Sequence, residues 1–266
     1  MNDPKVQHFL PSVYLRGFCD GSGKLHLYDS TKKEFRSNVN PNKVTKKSHI
    51  YTVTHDGKKD YFIENFFNEL ETKYGKLIKI IENGRIEKLT EDDFLDIIWF
   101  IAFLYARNLS TVNRVSEVSK ELLSFIGNGL LDYNLQQRDE ESLSPLLQIK
   151  PNDDYVQKIS MSTMFEAAKT MFDLLTNEGE WYFCISEEES EFITTDDPMA
   201  NMVMLPISKK ILFMRVTEQI KGLHRIMTVP SDWVHFMNFK IASSAKRFLF
   251  ASSRTVIKDD YLNAKT

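Results

Sequence analysis

The nineteen residues from Thr90 to Asn108, TEDDFLDIIWFIAFLYARN, constrain this chain more than any other stretch. Thr90 with Asp93 has the form of a helix N-cap and its capping-box partner, and Glu91 and Asp92 suit the positive end of the helix dipole. Behind them Phe94, Leu95, Ile97, Ile98, Trp99, Phe100, Ile101, Phe103, Leu104 and Tyr105 follow at about 100° per residue. They cover every side of a helix, and a helix apolar all round belongs inside a fold. Asp96 and Arg107 interrupt it, eleven positions apart and therefore within about 20° of one side. A guanidinium at the end of a buried helix needs an acceptor, because an unpaired buried charge costs several kcal/mol. Arg107 is thus expected to mark the chain's polar site, with Glu64, Glu71 or Asp196 as its carboxylate.

The rest of the chain gives that helix enough to pack against. Of 266 residues, 42% are hydrophobic, which is ordinary for a globular protein with a large core, and no Gly/Ser/Pro-rich linker divides them. One α+β domain is expected over 1–266. It comprises an N-terminal hairpin region (1–60), a helical region (61–176) and a strand-rich region (177–266). Four or five helices should surround the central one and pack on an antiparallel sheet. Cys19 and Cys184 make no disulfide framework, which points to a reducing, cytoplasmic setting. With Asp96 inside the longest apolar run, no membrane span is expected.

Several elements are legible locally. Lys24–Asp29 and Lys33–Arg36 read as a hairpin after the Gly21-Ser22-Gly23 turn. Tyr61–Ile81 reads as an amphipathic helix with Phe62, Phe66, Leu70, Tyr74, Leu77 and Ile81 as its stripe. Helices are expected over Thr111–Tyr133 and Asp154–Thr176, with a polar loop over Gln136–Pro151 between them. Strands follow at Trp181–Ile185, Glu191–Thr194, Met204–Ile207 and Lys210–Val216, the first two as a hairpin. A helix near Trp233–Ser244 and a strand at Arg247–Ala251 close the chain.

The overall charge of −3 argues against a generally basic nucleic-acid binder. Residues 1–60 nevertheless hold eleven Lys/Arg against six Asp/Glu. Lys43, Lys46 and Lys47, with Lys32, Lys33 and Arg36 upstream, could meet phosphates or form a solvated loop. His8, after Gln7, reads either as a histidine satisfied by the fold or as a base or ligand at a cleft edge. Glu64 and Glu71 share one side of their helix. At Thr194-Thr195-Asp196-Asp197-Pro198, two adjacent aspartates before a proline either satisfy backbone donors in a turn or bring one carboxylate to a divalent metal or to Arg107. There is no GxxxxGK(S/T), GxGxxG, HExxH, GxSxG or paired CxxC, so nucleotide-triphosphate, dinucleotide, serine-hydrolase and structural-zinc chemistry have no motif here.

Two readings of function compete. The first is a metal-dependent phosphodiesterase or nuclease of the toxin or defence type. In it His8 is base or ligand, Asp196 with Glu64 or Glu71 holds Mg²⁺ or Mn²⁺, Arg107 grips a phosphate, and Gln7 and Asp197 position these groups. The basic region would then meet the nucleic acid. The second is a non-catalytic binding or interaction protein, with a protein partner, in which Arg107 pairs with Glu64, Glu71 or Asp196 and the polar residues merely knit the fold.

The QHFLP and YLR segments between Gln7 and Arg16, YFIENFFNELE at Tyr61–Glu71, Arg107 ending an apolar helix, and FITTDDP before LPIS are also carried together in a recognisable order. In these the chain resembles a bacterial family catalogued only as a domain of unknown function. Its members generally share a QH(F/Y)(L/V)P start and an (S/T)D(N/D)P box, most often with Asn where Asp197 stands. The resemblance implies a single bacterial domain, often met in genomic islands and prophages, with no established activity. It points to Asp196 as the position such proteins rely on.

Overall fold

A computed structural model describes residues 6–48, 53–55, 58–108, 111–114, 117–118, 153–177, 180–199, 204–216 and 226–264. The expected loop over Gln136–Pro151, and the helix over Thr111–Tyr133 beyond 111–114 and 117–118, lie outside them.

The central helix, α3 (Glu91–Ala106), starts as its sequence dictates. Asp93 N–H donates to Thr90 Oγ1 at 3.1 Å and Thr90 N–H returns the bond to Asp93 Oδ2 at 3.0 Å. The two halves of the helix then differ. Leu95 is exposed and Asp96 pairs with Lys73 across 3.2 Å at the surface, whereas Phe100 to Leu104 and Ala106 are buried. Two helices cover that buried half, α2 (Phe62–Glu82) and α4 (Asp153–Asn177). Tyr74 stacks on Phe100 and Trp99 on Phe172, ring to ring. On α2 the buried residues are Ile63, Phe67, Leu70, Tyr74, Leu77, Ile78 and Ile81, while Phe62 is 68% exposed. The stripe is thus one residue out of phase with the sequence reading at the helix start. Phe66 sits half-buried against Phe67, Phe103 and Phe165.

The strands are β1 (Val6–His8), β2 (Leu25–Asp29), β3 (Glu34–Val39), β4 (Lys46–Ser48), β5 (Val53–His55), β6 (Lys58–Asp60), β7 (Glu180–Ser186), β8 (Thr194–Thr195), β9 (Met204–Ser208), β10 (Ile211–Val216), β11 (Ile226–Val229) and β12 (Phe248–Ala251). One four-stranded sheet runs β11-β7-β10-β9 and a second runs β3-β2-β12-β8, while β1–β4 and β5–β6 form ribbons. All pairings are antiparallel except β11 on β7, which is parallel, so the first sheet is mixed.

That sheet is buried on both faces. Trp181, Phe183, Ile211 and Phe213 join the core beneath the helices, and Cys184 and Leu212 join a second core with Val234, Ile241 and Ala242 of α5 (Ser231–Ser244). Two-sided burial is why β7 reads WYFCI without alternation. The architecture is α+β, with a second helical layer beyond the one expected.

The hairpin expected between Trp181–Ile185 and Glu191–Thr194 does not form. Buried Asn238 of α5 takes the backbone groups such a hairpin would use, accepting from Ile193 N–H at 3.0 Å and donating to Glu191 C=O at 2.8 Å. Strand β8 pairs with β12 instead.

The N-terminal segment is docked. Helix α1 (Ser12–Arg16) drives Tyr14 into the core, where its hydroxyl donates to Pro206 C=O and meets Thr194 Oγ1, each at 2.7 Å. Gly17 follows against β9, and a Cβ there would stand 2.8 Å from Ile207 O. Lys209 N–H donates to Gly17 C=O at 2.8 Å. The chain ends with α6 (Asp259–Leu262) against α5. Among the described residues no helix is long and apolar enough to cross a membrane.

Candidate functional site

Arg107 is the C-cap of α3 and is 2% exposed. Its Nη2 donates to Glu71 Oε1 at 2.9 Å, and its guanidinium carbon lies 4.8 Å from the centre of the Phe67 ring. Of the three carboxylates the sequence offered, Glu71 is the one seen at hydrogen-bond distance. Glu64 lies two turns away on α2, about 10 Å along the axis. His8 stands near this pair. Burial lowers its pKa from the ordinary 6.5, and the Lys46 and Arg107 cations add to the effect, against a hydrogen bond with the Asn42 backbone and the Glu71 carboxylate. Its Nε2 is buried without a hydrogen-bond partner among the described residues.

The next residue, Asn108, ties this group to the acidic turn. Its side-chain amide donates to Asp196 C=O at 2.9 Å and to Asp197 Oδ1 at 3.0 Å. Asp197 N–H donates to Thr195 Oγ1 at 3.1 Å, and Asp197 C=O accepts from the Ser244 hydroxyl at 3.2 Å. An asparagine at 197 would offer Asn108 the same acceptor oxygen.

Asp196 turns the other way. Its carboxylate accepts Lys246 N–H at 2.9 Å and Arg247 N–H at 3.0 and 3.1 Å, closing the corner between α5 and β12. Arg247 is then gripped from below by Asp29, 1% exposed, through Nε at 3.0 and 3.1 Å and Nη2 at 2.6 Å. Those bonds, with the amides of Lys32 and Thr31, hold the Asp29 carboxyl below the usual carboxylate range. Asp196 thus sets the backbone, and Asp29 the guanidinium, of a cationic corner.

That corner opens onto a cleft of about 600 Å³. Arg36, Lys43, Lys46, Lys246 and Arg247 line it, against the single carboxylate of Asp196. Phe9 and Phe250 close its floor, and half-buried Phe248 lies 4.6 Å beneath the Arg247 guanidinium carbon. Asn108 reaches it from the Arg107 side. A neighbouring hollow of about 560 Å³ shares Arg36 and Lys43 and adds Lys24.

The expected site residues thus divide. His8, Glu71 and Arg107 come together behind Asn108, while Lys43, Lys46 and Asp196 line the cleft in front. Strand pairing sets Gln7 opposite Lys47 and His8 opposite Lys46. The side chains of Gln7 and Lys47 lie outside the described residues. Among the described residues, no three His, Cys, Asp or Glu are arranged to hold a metal ion.

Asn108, Asp29, Lys246 and Arg247 escaped the sequence reading. The Lys246-Arg247 dipeptide between a helix and a strand was the available signal, but its meeting with residues 36–46 is non-local. No curated protein and no solved structure gives a significant match to the chain. A family model described as "Protein of unknown function (DUF4238)" does match, over residues 6–255, and the chain belongs to that family.

Proposed function

We propose that this protein binds nucleic acid through the cleft between the Asn40–Lys46 segment and the Ala245–Phe248 corner. One observation carries the reading: five cationic side chains from two distant parts of the chain face one cavity beside an aromatic ring. Cations along a groove attract a phosphate backbone and aromatic faces accept bases, the usual chemistry of single-strand binding. The adjoining hollow extends the cationic lining beyond one phosphate, which suits a polymer better than a mononucleotide.

Cleavage of the bound strand with Mg²⁺ or Mn²⁺ is the less favoured reading. Glu71 is engaged by Arg107, and the Asp196 carboxylate is engaged by backbone amides. A hydrolase would have to recruit its metal ligands from beyond these contacts.

Fluorescently labelled RNA and DNA single strands, titrated at several salt concentrations, test the proposal. Wild type is expected to bind with a steep salt dependence. Lys46→Ala with Lys246→Ala should weaken binding about tenfold and reduce the slope of log K against log salt by about 1.4. Failure to bind either strand at low salt overturns the proposal. Cleavage on adding Mg²⁺ or Mn²⁺, lost in an Asp196→Ala protein that melts like wild type, would restore the nuclease reading.

A further inference from the structure

A second cavity, of about 530 Å³, opens where the start of α3 meets the end of α4 and strands β7 and β11. Phe94, Trp181 and Phe183 form its aromatic part, and Leu95 and Ile226, each 40% exposed, stand at its lining. The charged residues lining it are all acidic: Glu87, Glu91 and Glu180. Its polarity is therefore opposite to that of the cationic cleft.

We propose that this cavity is a binding site for a small organic cation with an apolar, preferably aromatic, body. Its volume falls in the range of small-molecule pockets, roughly 300–1,000 Å³. The aromatic faces attract both the apolar body and the charge, tryptophan most strongly. Trp181 is held rigid at the cavity wall, with one face stacked on Phe213 at 4.2 Å and its indole N–H donating to Leu175 C=O at 2.9 Å. Glu180 also borders the cavity, although its carboxylate accepts from the Tyr182 hydroxyl at 3.2 Å, two residues along β7 and so on the strand face opposite Trp181 and Phe183.

The α3 N-terminus opposes a cation here, since its dipole amounts to about half a positive charge. Glu91, Asp92 and Asp93 in the first turn outweigh that half charge several times over, and the capping box already occupies the Thr90 and Asp93 amides. The rim is net negative. An anion would meet repulsion, and a neutral ligand would gain only the apolar contact.

Calorimetric titration with phenylbutylamine, phenylbutanol and phenylbutyrate, which share one body and differ in charge, tests the assignment. The amine is expected to bind, the alcohol more weakly, and the carboxylate least. Glu87→Gln with Glu91→Gln should weaken the amine about fivefold and leave the alcohol unchanged. Leu95→Trp, placed at the surface so that the fold survives, should reduce binding of both by filling the mouth. Equal affinity for all three compounds, no binding of the amine, or amine binding that Leu95→Trp leaves untouched while the protein melts like wild type would each overturn the proposal.

Discussion

Arg107 Nη2 donates to Glu71 Oε1 at 2.9 Å, joining the end of α3 to the middle of α2 across 36 positions of sequence. The arginine side chain is 2% exposed and the glutamate 24%, so one partner is sealed in and the other reaches water.

Breaking this pair from the glutamate side should be costly, because it takes a carboxylate away from a buried cation. Glu71→Ala is expected to destabilise by about 3 kcal/mol, the low end for a buried pair since water reaches the site. Replacing both partners with Arg107→Met and Glu71→Leu should cost less than the sum of the single changes. Urea denaturation measures this, and a Glu71→Ala cost below about 1 kcal/mol would refute the buried-pair account.

Asp196→Ala should be a stability variant. It removes a carboxylate that accepts two backbone amides in the α5–β12 corner. Leaving such donors unsatisfied costs about 1–3 kcal/mol each when they are buried, and these are partly buried. A loss of about 2 kcal/mol is expected, with Asp196→Asn retaining part of it. A melting curve matching wild type would contradict this role.

His8 links stability to pH. Its pKa is lowered in the folded state, first by burial, from the ordinary 6.5. The unfolded chain therefore takes up the proton first as pH falls, and stability declines from about pH 6.5 downward until the folded-state pKa is reached. Melting temperatures measured through this window should fall for wild type and fall less for His8→Gln. Identical slopes would show that His8 carries no such linkage.

Gly17→Ala tests the docking of the N-terminal segment. The added methyl would meet the backbone oxygen of Ile207 at 2.8 Å, where no flexible side chain can yield. A cost of about 1–3 kcal/mol is expected. Normal stability would mean that α1 can shift away from β9 without loss.

Much of the fold was legible because its signals are local. The Thr90–Asp93 capping box, the span of α4 and the hairpin of β2 and β3 appear near where residue pattern placed them. The docking of the N-terminal segment is readable from its helix-spaced apolar anchors Val13, Tyr14, Leu15 and Phe18, of which Val13 is half-buried and the other three are buried. The phase at the start of α2 was not. Phe62 and Ile63 are both apolar, and only the neighbouring helices decide which faces inward.

The sequence by itself determined that the apolar helix between Thr90 and Asn108 belongs to the core and that Arg107 needs a carboxylate, since burial and charge solvation follow from composition and period. It did not show that the first half, at Leu95 and Asp96, would face water. Tertiary structure decided which carboxylate it was and made Asp196 a backbone clamp. It also brought residues 36–46 and 246–247 to one cleft. Those outcomes depend on contacts between segments as far apart as the 218 positions from Asp29 to Arg247, and nothing in local spacing specifies which surfaces will meet.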